Sequence, residues 1–143
     1  MILTDVNVLV YAHRSDTPDH IRYRSWLESN LNSASAFGIS ELVLSGFLRV
    51  VTNPRIFQRP SPLDDALRFV HELCDRSNCV ILAPSERHWD IFERLCRDCG
   101  AKGNLIPDAY HAALAIESGS EWVTTDRDYA RFRGLRWRHP LDA

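Results

Sequence analysis

The sequence predicts an α/β fold with a central parallel sheet of about five strands flanked by helices. Short β-like runs alternate with longer segments of helical periodicity, the pattern that crossover helices impose on parallel sheets. No internal repeat, low-complexity tract or long linker interrupts the alternation. A chain of 143 residues is also of ordinary domain size, so one domain over residues 1–143 is expected, with a core that needs no disulfide.

The chain opens on "MILTDVNVLVYAH", an apolar run taken as the first strand, with Asp5 at its end and Asn7 two residues on. Both residue types are disfavoured in a strand buried on two faces, so something other than packing selects them. In "TPDHIRYRSWLESNL", Thr17 is the expected N-cap and Pro18 the first helical position, with Ile21, Trp26, Leu27 and Leu31 facing inward. "SAFGIS" reads as the second strand, and "SELVLSGFLRVV" as a helix capped by Ser40. Three prolines in "TNPRIFQRPSP" break that helix. The next runs through "SPLDDALRFVHELCDR", with Ser61 as cap and Leu63, Leu67, Val70 and Cys74 on one face. "CVILAP" then reads as a buried strand, "SERHWDIFERLCRDCG" as a helix ending at Gly100, and "PDAYHAALAIESG" as a helix closed by Gly119. "EWVTT" is the fourth strand and "LRWRH" an edge strand.

A formal charge of −2 and a pI near 6.3 exclude nucleic-acid binding by bulk attraction, so any such contact must be local. Among the 17 basic residues only Lys102 is a lysine, which leaves planar guanidinium groups as the available cations. The apolar start lacks a basic leader, and no run approaches the roughly 18 residues of a membrane span, so a cytoplasmic location without membrane contact is expected. "CRDC" has the spacing of a zinc or redox pair. Phe92, Leu95, Cys96 and Cys99 also fall at helical spacing, which makes the thiols small core residues. The histidines show no close pair at zinc-ligand spacing; His111, three residues after Asp108, is the one near the expected site.

In open parallel sheets, ligands sit beyond the carboxyl ends of the strands, where helix N-termini also point. Four acids recur there: Asp5 after the first strand, Glu41 after the second, Asp108 in a first helical turn and Asp126 after "WVTT". Taken singly, Glu41 and Asp108 suit a helix macrodipole and Asp126 a turn. Converging in one crevice they would repel each other, and a hard divalent cation such as Mg²⁺ or Mn²⁺ removes that conflict. Such an ion polarises a phosphoryl oxygen and acidifies a water molecule, so metal-assisted phosphodiester hydrolysis is the chemistry these residues suit. Asn7, Thr124 and Thr125 can orient carboxylates without adding charge, and Asp128 is either a further ligand or an exposed helix acid.

The segments "LTDVNVLVYA", "ISELVLSGFLRVVTNPRIF", "PDAYHAALAIESG" and "VTTDRDYARFRGLRW" cover nearly the whole chain in order. In these the sequence resembles the PIN-domain nucleases, and within them the VapC toxins of bacterial toxin–antitoxin pairs. The resemblance implies a PIN-like fold, an acidic Mg²⁺ site and endoribonuclease activity. It also implies a homodimer and a cognate VapB-type antitoxin. Carried over by position, Asp5, Glu41, Asp108 and Asp126 match the family's catalytic and metal-binding acids, Asn7 its small polar residue, and Thr124 its T-x-D threonine. Arg49 is open to a structural role or to RNA contact. Arg127, Arg131, Arg133, Arg136 and Arg138 form the densest basic cluster, with Arg127, Arg131 and Arg133 as candidate RNA contacts. Two other readings stand beside the nuclease: a phosphatase with Asp5 as nucleophile, and a non-catalytic metal-stabilised module that binds RNA or protein. The phosphatase reading is weakened by Asn7, where that class has a second Asp.

Overall fold

A computed structural model describes residues 1–142. It contains five strands: β1 Ile2–Thr4, β2 Phe37–Ser40, β3 Cys79–Leu82, β4 Glu121–Val123 and β5 Trp137–Arg138. Six α-helices accompany them: α1 Val6–His13, α2 His20–Leu31, α3 Glu41–Val51, α4 Leu63–Cys74, α5 His88–Cys99 and α6 Leu105–Ser118. A 3-10 turn spans Arg127–Arg131. The sheet is parallel throughout in the order β3-β2-β1-β4-β5, as the alternating sequence predicts.

That order carries the functional geometry. From β1 the chain builds outward through β2 and β3, then returns to the other side of β1 with β4 and β5. Direction therefore reverses between β1 and β4, and a crevice opens beyond their carboxyl ends, where ligands collect in open α/β sheets. Leu3 pairs with Trp122 and Thr4 with Val123, and the Asp5 amide extends the ladder by donating to the Val123 carbonyl at 2.9 Å. Leu3, Phe37, Ile39, Trp122 and Val123 are essentially inaccessible and anchor the core across the three inner strands.

The opening run departs from the strand expected of it. The strand stops at Thr4, and residues 6–13 are helical because the Asp5 carboxylate accepts from the Val6 amide at 2.7 Å and caps the helix. Val8, Leu9, Val10 and Ala12 are buried because α1 packs on α2 and α3 at once, so tertiary packing overrides the strand preference of a valine-rich stretch. The next helix begins at His20 rather than Pro18. Its cap position is Asp19, in the left-handed region at φ 58°, while the Thr17 hydroxyl donates to the Arg14 carbonyl at 2.7 Å instead. Tyr23 and Leu27 are its buried residues, and Ile21 points to solvent.

Ser61 does not cap α4. It is buried, accepts a hydrogen bond from Arg14 and shares one with the His13 ring, and the two tie the end of α1 to the proline-rich loop. Leu63, expected inward, is exposed, and Ala66 and Leu73 are the buried residues of that helix. β3 lies at the sheet edge, so Val80 and Ile81, expected in a buried strand, are exposed. α6 starts at Leu105, two residues before Pro107, whose missing amide costs nothing in a first helical turn. Ser40 caps α3, and Gly100 and Gly119 end α5 and α6 with positive φ, as expected. No described helix is long and apolar enough to cross a membrane.

Two glycines allow close approaches that place the crevice. A Cβ at Gly38 would stand 2.7 Å from the Ile2 carbonyl oxygen in the neighbouring strand, and one at Gly46 would stand 2.9 Å from the Val6 side chain where α3 meets α1. The first contact is backbone and cannot yield. Gly38→Ala is therefore expected to destabilise the fold by about 1–3 kcal/mol through overpacking. Urea denaturation monitored by circular dichroism measures it, and an unchanged midpoint would contradict the close approach.

Candidate active site

Thr124, fully buried just beyond β4, donates from Oγ1 to Asp5 Oδ2 at 2.6 Å, joining residues 119 apart across the crevice. The same hydroxyl accepts from the Asp126 amide at 3.0 Å. Asp126 in turn caps the 3-10 turn, with Oδ1 accepting from the Asp128 amide at 2.9 Å. Tyr129 in that turn is buried and donates from its hydroxyl to Asp108 Oδ1 at 3.2 Å, so the turn fixes a carboxylate on α6. Helix capping, strand pairing and one tyrosine thus orient three acids towards one another.

Asp5, Asp108 and Asp126 line one pocket of about 480 Å³, together with Asn7, Arg49, His111 and Tyr129. Asp5 is 7% exposed, and burial pushes its carboxyl up to about 6. The Thr124 and Val6 hydrogen bonds oppose that rise, while the charges of Asp108 and Asp126 add to it. Asp108 is also raised, first by burial and then by Asp126, against the Tyr129 hydrogen bond and the Arg131 charge. Burial and the three acids push the Tyr129 phenol far up, which keeps it a hydrogen-bond donor. His111 stacks on Trp122 with ring centroids 5.4 Å apart, and burial lowers it to about 4, so its ring stays neutral beside the acids.

Of the buried side-chain oxygens and nitrogens lacking a partner among the described residues, Asn7 Oδ1 is the one belonging to a pocket-lining residue. Three repelling carboxylates and an unpartnered amide oxygen form a hard-oxygen donor set that fits a divalent cation such as Mg²⁺. Among the described residues, no three His, Cys, Asp or Glu side chains stand together closely enough to hold a metal ion by themselves. Mg²⁺ does not require such a group, since it keeps several waters and is commonly held by one or two carboxylates.

The other expected site residues fall elsewhere. Glu41 is exposed in the first turn of α3 and does not line the pocket; its charge bears on Cys74 at the end of α4. Thr125 lines a neighbouring depression with Tyr11, and Asp128 is exposed. Most of the arginine cluster is engaged internally: Arg127 with Asp142, Arg138 with Glu121, and Arg136 with the Gly119 carbonyl. Arg131 bonds the Asp128 carbonyl and its charge reaches Asp108, while Arg133 is exposed. Cys96 and Cys99 are half-buried free thiols packed against the core from α5. Sequence reasoning missed Tyr129 and the wall formed by Ile56 and Phe57. A tyrosine three residues after Asp126 was the available signal for the first.

The PIN domain model matches residues 2–135. The VapC ribonuclease Mb2897 of Mycobacterium bovis is 49% identical over 142 residues, covering 99% of this chain and 97% of its own. Ribonuclease VapC25 of Mycobacterium tuberculosis is 41% identical over 140 residues, with 98% and 99% covered. Among solved structures, VapBC2 from Rickettsia felis bound to a promoter DNA fragment matches with a TM-score of 0.73 at 19% identity, over 97% of this chain and 98% of that one. At that identity the match speaks for the fold alone. The full-length likeness to the two mycobacterial proteins and the match to the family model together establish that the chain belongs to the PIN domain family, among its VapC ribonucleases.

Proposed function

We propose that the chain is a single PIN domain acting as a metal-dependent endoribonuclease, the toxin of a VapBC-type pair. The observation that carries this is the convergence of Asp5, Asp108 and Asp126 in one pocket at the β1–β4 crevice, lined also by Asn7, whose buried amide oxygen lacks a partner among the described residues. The ribonuclease names of relatives 49% and 41% identical over nearly the whole chain support the substrate class. Asp5, Asp108 and Asp126 would hold the cation; Glu41 is not included because it is not part of the pocket wall. Bound there, Mg²⁺ or Mn²⁺ supplies the Lewis acidity that polarises a phosphoryl oxygen and acidifies a water molecule.

The chain's own residues do the rest. Thr124 and the Val6 amide fix both oxygens of Asp5, and Tyr129 fixes one oxygen of Asp108, so the ligand oxygens are held before substrate arrives. Asn7 offers an oxygen without further negative charge, and the neutral His111 ring closes the wall without competing for a cation. An antitoxin of the VapB type is the partner that likeness to the VapC ribonucleases implies. A homodimer is the assembly that the family likeness implies, and light scattering on the purified chain tests it.

Asp5→Asn should reduce metal-dependent RNA cleavage to background and relieve growth arrest while leaving the circular dichroism spectrum unchanged. Retained cleavage by the purified variant would remove Asp5 from the mechanism. Calorimetry gives an independent readout. Mg²⁺ should raise the melting temperature of the wild type more than that of Asp5→Asn; a rise accompanied by no cleavage of any RNA would favour a non-catalytic module.

The pH dependence without metal has a definite sign. Folded Asp5 holds its proton to about 6 against 3.8 for the free group, so between those values the native state binds more protons and stability falls as pH rises. Asp5→Asn should therefore melt higher than the wild type in EDTA near about pH 8, with the difference shrinking towards about pH 4. Equal melting temperatures at both extremes would contradict a raised Asp5.

A further inference from the structure

The pocket has a wall that hydrolysis does not require. Val50, Ile56 and Phe57 line the same pocket as the acids, and Ile56 is 55% exposed. An apolar side chain held open beside three carboxylates gains nothing from burial. The wall is nonetheless rigidly placed. Ile56 and Phe57 amides both donate to the Asn53 carbonyl at 3.1 Å, and the Ser61 amide donates to the Val51 carbonyl at 2.8 Å. The buried Arg14 donates to the Arg59 carbonyl at 2.8 Å and lays its guanidinium 4.0 Å over the Phe57 ring. The proline-rich loop is thus clamped at several points behind Ile56.

Arg49 lines the same pocket from the last turn of α3. A helix C-terminus favours an arginine, but that contact leaves the side chain uncommitted. Among the described residues Arg49 is exposed and makes no ion pair and no side-chain hydrogen bond, as is also true of Arg55, Arg59, Arg87 and Arg133, but of these it is the one that lines the pocket. A free guanidinium and an apolar wall lining one pocket with three acids match a ligand that is anionic at one end and flat and apolar at the other. A nucleotide has that shape, and its base face is available only when the base is unpaired and unstacked.

We propose that Arg49 grips a phosphate flanking the cleaved bond and that Ile56, backed by Phe57, takes the face of an unpaired base on the same strand. This assigns Arg49 and Ile56 to one substrate subsite beside the acids, and it rests on the nuclease reading above. Arg49 supplies affinity for the backbone without regard to the base; Ile56 supplies affinity only when a base is present.

The test uses the full chain and a fluorescein-labelled random-sequence octaribonucleotide, with an abasic octaribonucleotide as its partner probe. Anisotropy is read in Ca²⁺, with probe integrity checked on a gel, and Mg²⁺-dependent cleavage of cellular RNA is measured alongside. Ile56→Ala should weaken binding of the base-bearing probe by about tenfold and leave the abasic probe unchanged. Ile56→Trp should tighten the first and not the second. Arg49→Ala should weaken both and lower the salt dependence of log Kd by about 0.7, the share of one phosphate contact on a single strand, with Arg49→Lys restoring most of it. Both positions are exposed, so unchanged melting temperatures confirm the fold. A wild type that cleaves RNA while all four variants bind both probes normally would overturn the subsite and leave the nuclease standing; a wall serving a protein partner gives that result. Expected shifts in a chain that cleaves nothing with any divalent cation would uphold the subsite and overturn the hydrolysis. A wild type that neither binds nor cleaves RNA would overturn both.

Discussion

The hydrogen bond from Thr124 to Asp5 is the constraint on which the rest of the molecule turns. It spans 119 residues of sequence, and it forms only because the sheet order makes β1 and β4 neighbours. A hydrogen bond to a charged group contributes about 1.5–3 kcal/mol, so this one can hold a buried carboxylate in place but cannot alone pay for burying it. Sheet pairing supplies the remainder. The Asp5 amide continues the β1–β4 ladder while its side chain caps α1, so backbone and side chain of one residue serve the sheet, the helix and the pocket together. The Asp5 side chain is therefore fixed by fold geometry rather than by its own rotamer preference.

A second tension follows from that placement. Three carboxylates share a pocket whose deepest member is nearly inaccessible, and burial and mutual repulsion both favour protons over charge. Asn7, Thr124, Tyr129 and His111 add no negative charge of their own, being an amide, a hydroxyl, a phenol held protonated and a neutral ring, and Arg49 is the cationic side chain in the wall. Arg131 offsets only part of the rise at Asp108, and burial and mutual repulsion still leave Asp5 and Asp108 raised. That leaves the deficit to be met by a bound cation, in line with an open, hydrated site rather than a closed cage.

Much of this was legible in the sequence because it depends on local chemistry. Strand ends followed by acids, Ser40 as a cap, and Gly100 and Gly119 as helix stops all report on their immediate neighbours, and the structure contains them. What could not be read depends on packing from outside the segment. Val6–His13 has strand-forming residues yet is helical, because it is buried between α2 and α3 and capped by Asp5. "CVILAP" has the composition of an inner strand yet lies at the edge, since strand order is not written in any one strand. Glu41 stands after a strand like the other acids, but that strand lies on the far side of β1 from the crevice, and the side chain does not reach the pocket. Tyr129 was invisible as a site residue because its role exists only through a partner 21 residues earlier in the chain.

Charge shows the same limit in a more instructive way. The arginine-rich stretch near the C-terminus is the densest basic segment of the sequence, and density is what a reader of sequence can measure. Availability is a different quantity. Arg127, Arg136 and Arg138 spend their donors on Asp142, the Gly119 carbonyl and Glu121, fastening β4, β5 and the chain end to one another. Arg49 has no basic neighbour closer than Arg55, and sits in a helix whose other residues are mostly apolar. It lines the acidic pocket with no ion pair and no side-chain hydrogen bond among the described residues. In a chain with net negative charge, that pocket carries three acids and one arginine without a partner among the described residues. Affinity built on so few charges must be completed by contacts that recognise something other than charge, and the clamped apolar wall beside Arg49 is the feature of the pocket able to supply them.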